Sequence, residues 1–327
     1  MAERKGWIDV YKAILIILVV IGHSYTPYYR VIFWFHMPLF FSISGYLFTG
    51  SNKISILEYF RKKSKRLLIP WIFYFVILEI LPMVLIEHIS ISKLIKRCVM
   101  FLWSGKMWGG VYWYSPVLLL TIMLFIFVSR ISTKKQIMLL ILSYIIAIME
   151  SIYLIPVDNS QIPLWLRFPW NIDVCLISIV YFAIGYYLKK LKITRSCYKW
   201  LIVLSVVIAI ASVYLMNTNV ITFDLNMKYT QYKNFVYPLL FPFIFGIVIK
   251  QVSLCLDKIR VVNYLFETCG KASMPIMFIH NPVRAYIMIP VFGESYNIIL
   301  YTFISCGIGI LVYHFFKEKK CKILFGV

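Results

Sequence analysis

Acidic residues are scarce in this 327-residue chain, where 13 Asp and Glu stand against 34 Lys and Arg for a formal charge of +21. Charge of either sign is thin as well, at 14% of residues, while 61% are hydrophobic and the mean hydropathy is +0.83. A soluble domain carries about 45 to 50% apolar residues, so the composition excludes one and points to a polytopic membrane protein. No polar stretch approaches the roughly 100 residues of a typical soluble domain, which leaves residues 1–327 as one integral domain. The cysteines, at 98, 175, 197, 255, 269, 306 and 321, form no C-x-x-C pair and have no histidine at ligand spacing. That argues against both a structural metal site and a disulfide framework. The N-terminal apolar run lacks a small-residue cleavage site and is longer than a signal-peptide core, so it reads as a retained first span.

What is present is a succession of apolar runs. A membrane-crossing helix needs about 20 mostly apolar residues, and ten such segments are expected at 7–27, 30–50, 67–87, 111–130, 136–156, 172–189, 200–217, 234–250, 273–292 and 297–316. The expected fold class is therefore all-α, with an even number of spans and both termini on one side. Basic residues choose the side. Of the 34 Lys and Arg, 24 fall in segments on the side of the termini, among them Arg4, Lys5, Lys53 and Lys192, and 8 fall opposite, with Lys12 and Arg284 inside spans. The positive-inside rule then makes both termini cytoplasmic and the location the plasma (inner) membrane. It also explains the high net charge without any nucleic-acid partner. The segment His88 to Trp103 has apolar residues at helical spacing with Lys93, Lys96 and Arg97 between them, which suits a helix lying on the outer surface or a simple connecting helix.

Ionisable groups at membrane depth are costly and are candidates for function. In the first span Asp9 and Lys12 sit at i, i+3 and can pair. His23 lies eleven residues beyond Lys12, about 16 Å along the axis and close to three full turns, so both share a face. Asp9 is about 21 Å from His23 on a straight helix and cannot orient it. The chain turns around Thr26 to Tyr29, bringing His36 to a similar depth and setting the two imidazoles towards one cavity. Desolvation favours neutral imidazole, a competent general base, whereas the plainer reading is two histidines satisfied by helix carbonyls or hydroxyls.

The stretch "YFRKKSKRLLIPW", Tyr59 to Trp71, puts five bases beside the third span. Such a cluster is an anionic-lipid anchor or a phosphate clamp for a polyanionic nucleotide donor. Trp113 and Tyr114 fit an interfacial aromatic belt or a sugar-stacking platform. His280 and Arg284, at i, i+4 within one span, require a polar cavity or a partner, and Glu79 and Glu150 are the other carboxylates at membrane depth.

The motifs "IDVYKAILIILVVIGH", "FWFHMPLFFSISGYLF", "KRLLIPW", "YWYSPVLLL" and "GKASMPIMFIH", in this order over most of the chain, resemble the acyltransferase-3 family of integral membrane proteins that O-acylate cell-surface sugars. The resemblance implies ten spans, a catalytic His23 with Lys12 in the family's basic position, and Asp9 beside it. It implies acetyl-coenzyme A, held by Arg61, Lys65 and Arg66, as a donor rather than a permanently bound cofactor, and no metal. His36 and His280 become further site histidines, and Trp113, Tyr114 and Glu79 become candidates for contact with the acceptor, a polysaccharide or lipid-linked oligosaccharide. The cluster "RKKSKR" departs from the Arg-x-x-Arg pair of many relatives. A transporter or flippase of glycan precursors is the rival reading, since buried His, Lys and Glu also line translocation paths. A glycan polymerase or ligase calls for a large extracytoplasmic loop, and the loops here are short.

Overall fold

The structure, a computed structural model, describes residues 6–24, 26–50, 55–103, 105–191 and 194–326, so Arg4, Lys5, Lys53 and Lys192 of the charge tally lie outside the described residues. The fold is a bundle of helices, and no strand longer than the isolated bridge Asn226–Gln231 occurs among the described residues. Among the described residues, six helices are long and apolar enough to cross a membrane: Ile56–Leu85, Thr133–Tyr153, Pro169–Leu188, Ser196–Asn217, Tyr237–Leu256 and Ile298–Phe316.

The other four expected spans are built differently. Helix α1, Gly6–Gly22, has 17 residues and α7, Tyr114–Val128, has 15. Segment 30–50 is broken into α2, Tyr29–Phe33, and α3, His36–Tyr46, where Phe35 leaves helical geometry at φ −137°. Segment 273–292 runs as α13, Ser273–Val283, then a π turn over Arg284–Met288, then α14, Ile289–Phe292. A window that counts apolar residues cannot register such interruptions. The third span begins earlier than expected, because α4, Ile56–Phe75, continues through a π turn, Val76–Ile80, into α5, Leu81–Leu85. Ser55 caps its start by accepting from the Glu58 N–H at 3.2 Å. The basic cluster therefore rides on the span's own helix.

Both π turns carry an ionisable residue, Glu79 in one and Arg284 in the other. Such turns are rare and concentrate at functional sites. The segment expected to form a surface or connecting helix is α6, Ile91–Trp103, in which only Phe101 is buried.

The remaining helices are α8, Thr133–Tyr153, α9, Cys175–Leu188, α10, Arg195–Asn217, α11, Tyr237–Leu256, α12, Arg260–Lys271, and α15, Ile298–Phe316. Lipid offers no hydrophobic gain for helix association, so close backbone approach must supply it. Helices α3 and α9 achieve this through a reciprocal pair of glycines: a Cβ on Gly45 would overlap the Phe182 carbonyl, and one on Gly185 would overlap that of Ser42. Aromatic stacking fills the space between α4 and its neighbours, with Trp71 on Phe101 at 4.2 Å and Tyr74 on Phe278 at 4.9 Å between ring centroids. The Trp71 indole N–H donates to the Tyr112 carbonyl at 2.8 Å, which satisfies its polar edge.

Candidate active site

Helices α1, α3, α4, α7, α13 and α15 surround a cavity of about 1040 Å³. At the end nearest the termini, Lys63 and Arg66 of α4, Lys271 of α12, and Lys317 and Lys322 beyond α15 line it; Lys12 lies along its length; and Asn226, Lys228 and Arg284 line the far end. Eight cations face this space, and no Asp or Glu does so among the described residues.

His23 and His36 stand side by side on the wall, each against the Phe33 ring, with centroid separations of 5.7 and 5.0 Å. The local chain explains their orientation. A carbonyl oxygen has two lone pairs, and the Val19 carbonyl in the last turn of α1, which already accepts the His23 backbone N–H, also accepts the His23 ring Nδ1–H at 2.8 Å. The Ile32 carbonyl of α2 accepts the His36 ring Nδ1–H at 2.7 Å, and the Ile276 carbonyl within α13 that of His280 at 3.1 Å. A carbonyl only accepts, so each Nδ1 carries the proton and each Nε2 presents its lone pair. The carbonyl bond that would satisfy a merely structural histidine thus also sets the tautomer that a general base needs. His280 is fully buried, its ring 5.0 Å from that of His23, and its Nε2 has no hydrogen-bond partner among the described residues.

Asp9 and Lys12 form an ion pair at 2.7 Å, with the carboxylate buried behind the cavity wall. Trp113 and Tyr114, expected at an interface, are buried and line the cavity from the start of α7. Glu79 is set apart from the histidines, in an adjoining space of about 490 Å³ with Arg97 and Tyr112. Of the three cations expected to form the clamp, Arg66 lines the cavity, while Arg61 and Lys65 are exposed and do not. Lys63 of the same cluster lines it as well. Tyr59, Lys63, Arg66, Leu67 and Pro70 fall at i, i+4, i+7, i+8 and i+11, one face of a 3.6-residue helix, whereas Arg61 and Lys65 point elsewhere.

Lys228 gave no signal in the sequence. It lies in the connection between α10 and α11, on a single tight turn, Met227–Tyr229, and is 8% exposed. Burial pushes its ammonium down to about 8. Asn171, held in the left-handed region at φ 50°, donates its side-chain N–H to the Lys228 carbonyl at 2.8 Å and accepts from the Lys106 N–H at 2.9 Å. Thr230 donates to the buried Asp173 at 2.7 Å, and Asp173 also pairs with the Lys106 ammonium. Gly105, at φ +61°, lies so close to Asn171 that any side chain would collide with its amide. Three loops are therefore clamped together above the far end of the cavity.

The bundle therefore encloses a cavity lined by cations at both ends, with two imidazoles on its wall. The family model described as "Acyltransferase domain" matches residues 5–314, and the chain belongs to this acyltransferase-3 family. Together with its apolar helices of spanning length, that membership marks it as a multi-pass membrane protein. The chain is 35% identical over 102 residues to Nodulation protein NolL of Sinorhizobium fredii, covering 27% of this chain and 28% of that protein. It is 38% identical over 80 residues to Nodulation protein NolL of Mesorhizobium japonicum, covering 20% of this chain and 21% of that one. The matched stretches thus span less than a third of either relative's length. No solved structure matches this chain.

Proposed function

We propose that the protein moves an acetyl group from cytoplasmic acetyl-coenzyme A to a hydroxyl of a cell-surface or lipid-linked polysaccharide at the plasma membrane, with His23 as the base. The observation that carries this reading is the single cavity joining Lys63, Arg66, Lys271, Lys317 and Lys322 to the His23 and His36 rings. Phosphates of the donor are polyanionic, and Arg forks and Lys point charges are the side chains that hold them. The neutral acyl arm then reaches along the cavity towards the histidines.

At His23 the Nε2 lone pair accepts the proton of the sugar hydroxyl as its oxygen attacks the thioester carbon. The tetrahedral intermediate collapses by breaking the C–S bond, and the protonated Nε2 returns its proton to the departing thiolate. The products are the O-acetyl ester and free coenzyme A. The Nδ1–H bond to Val19 keeps the ring in position through both transfers. If His23 itself attacks instead, an acetyl-imidazole forms and then passes the acetyl group to the hydroxyl. The two routes separate on acid-quenched protein incubated with labelled donor and no acceptor, since only the second leaves label on the chain.

The decisive experiment incubates membranes containing this protein with labelled acetyl-coenzyme A and follows label into glycan. Transfer that disappears in His23→Ala supports the reading, and undiminished O-acetylation in that variant removes His23 from the reaction.

A further inference from the structure

Resting on the acyltransferase reading above, we infer that the acceptor sugar carries an anionic oxygen group, a carboxylate or a phosphate, close to the hydroxyl that is acylated, and that Lys228 and Arg284 bind it. Both residues line the far end of the cavity. They stand at the opposite end from Lys63, Arg66 and Lys317, which leaves the donor's phosphates without need of them.

Lys228 is the informative member of the pair. The residue is 8% exposed, and no carboxylate lies within ion-pair distance of its ammonium among the described residues. Its ammonium lies 4.8 Å from the centre of the Tyr229 ring. Buried ammonium groups are costly unless paired, so a site that retains one is built for an anion that arrives from outside. The surrounding scaffold fits that purpose: Asn171 holds the Lys228 carbonyl, and the Lys106–Asp173–Thr230 network fixes the turn on which Lys228 sits.

The rest of the far end agrees. Asn226 and Asn281 offer amides for sugar hydroxyls, while among the described residues no carboxylate lines the space to repel an anion. Charge-assisted bonds from Lys and Arg to carboxylate or phosphate are about twice as strong as neutral ones, so such an acceptor gains most from this donor-rich surface.

The test maps the added acyl groups by NMR and mass spectrometry on the envelope glycan and on its lipid-linked precursor. Material is taken from cells carrying the intact chain and from cells in which its gene is deleted. The expected result is acylation of a sugar that bears an acidic group or adjoins one. A uronic acid identifies the carboxylate, a phosphodiester in the mature glycan identifies backbone phosphate, and phosphate confined to the precursor identifies the lipid linkage. Acyl groups confined to neutral sugars without an acidic neighbour overturn the inference. Identical acylation in the two strains overturns the acyltransferase reading itself, and this inference falls with it. In parallel, Lys228→Met is expected to lower acyl groups per glycan at least tenfold and Lys228→Arg to retain most of them, with both variants checked for wild-type thermal melting in detergent. Full acylation in a folded Lys228→Met protein also overturns the inference.

Discussion

The rings of His23 and His280 lie 5.0 Å apart at 68° to one another, each tied through Nδ1 to a helix carbonyl four residues earlier in the chain. Two imidazoles so close cannot both hold a proton without mutual repulsion. The pair therefore carries at most one added charge, and the ring that gains it borders the cavity. His23 faces the cavity while His280 is fully buried behind it, so their roles differ although their hydrogen bonds match.

Replacing His23 by Ala or Gln is expected to lower acyl transfer by at least 100-fold, the range in which a positioned general base contributes. His280→Asn removes the neighbouring imidazole without exposing the site, and its effect is expected to be a smaller loss of rate, within about tenfold. Transfer of label from acetyl-coenzyme A into glycan, normalised to protein in the membrane, measures both. A His280 variant as inactive as His23→Ala would move the base to the buried ring.

On α4, Lys63→Ala and Arg66→Ala are expected to raise the KM for acetyl-coenzyme A by roughly 10-fold or more each, the size of a lost charge-assisted bond of about 1.5 to 3 kcal/mol. Arg61→Ala and Lys65→Ala should raise it far less, because both side chains lie off the cavity-lining face. Donor titrations on the four variants decide the matter. An equal rise in all four would show that the cluster acts as a diffuse field rather than a clamp.

These residues also show what the sequence could disclose. The helical character, the Asp9–Lys12 pair and the approach of His23 to His36 are local or nearly local, set by helix periodicity over a few turns. The choice of Lys63 over Lys65 was available in the same way, through the apolar phase set by Tyr59, Leu67 and Pro70. The break near Phe35 and the π turns at Glu79 and Arg284 were not, since apolar counts are blind to an inserted or missing hydrogen bond. Lys228 was out of reach altogether. Its burial depends on Asn171 and Asp173, 57 and 55 positions earlier in the chain, and on the meeting of three separate loops.

The crossing of α3 and α9 relies on Gly45 and Gly185, each against the other helix's backbone. A single added methyl has nowhere to go without separating the helices, so Gly185→Ala is expected to destabilise the folded protein by about 1 to 3 kcal/mol, as overpacking does. A lowered thermal midpoint in detergent is the readout. Since α3 begins at His36, some activity should be lost below that midpoint as well. An unchanged midpoint would mean that the two helices can slide apart freely.

Asp173 is the keystone of the loops above the cavity, because it accepts from Thr230 and pairs with the fully buried Lys106 ammonium. Asp173→Ala leaves that ammonium buried without its partner, a change that costs roughly 3 to 5 kcal/mol in comparable sites. Lys106→Met with Asp173→Leu removes both charges together, and apolar replacement of a buried pair is often neutral for stability. The double variant should therefore melt near the wild-type temperature, while the single variant melts well below it. The loop geometry is another matter, for the double variant still lacks the bond that fixed Thr230, and the turn carrying Lys228 loses one of its two anchors. Acyl transfer by the double variant should consequently be weakened through a raised acceptor KM, with acetyl-coenzyme A binding little changed. A double variant that is both stable and fully active would show that Asn171 alone holds Lys228 in place.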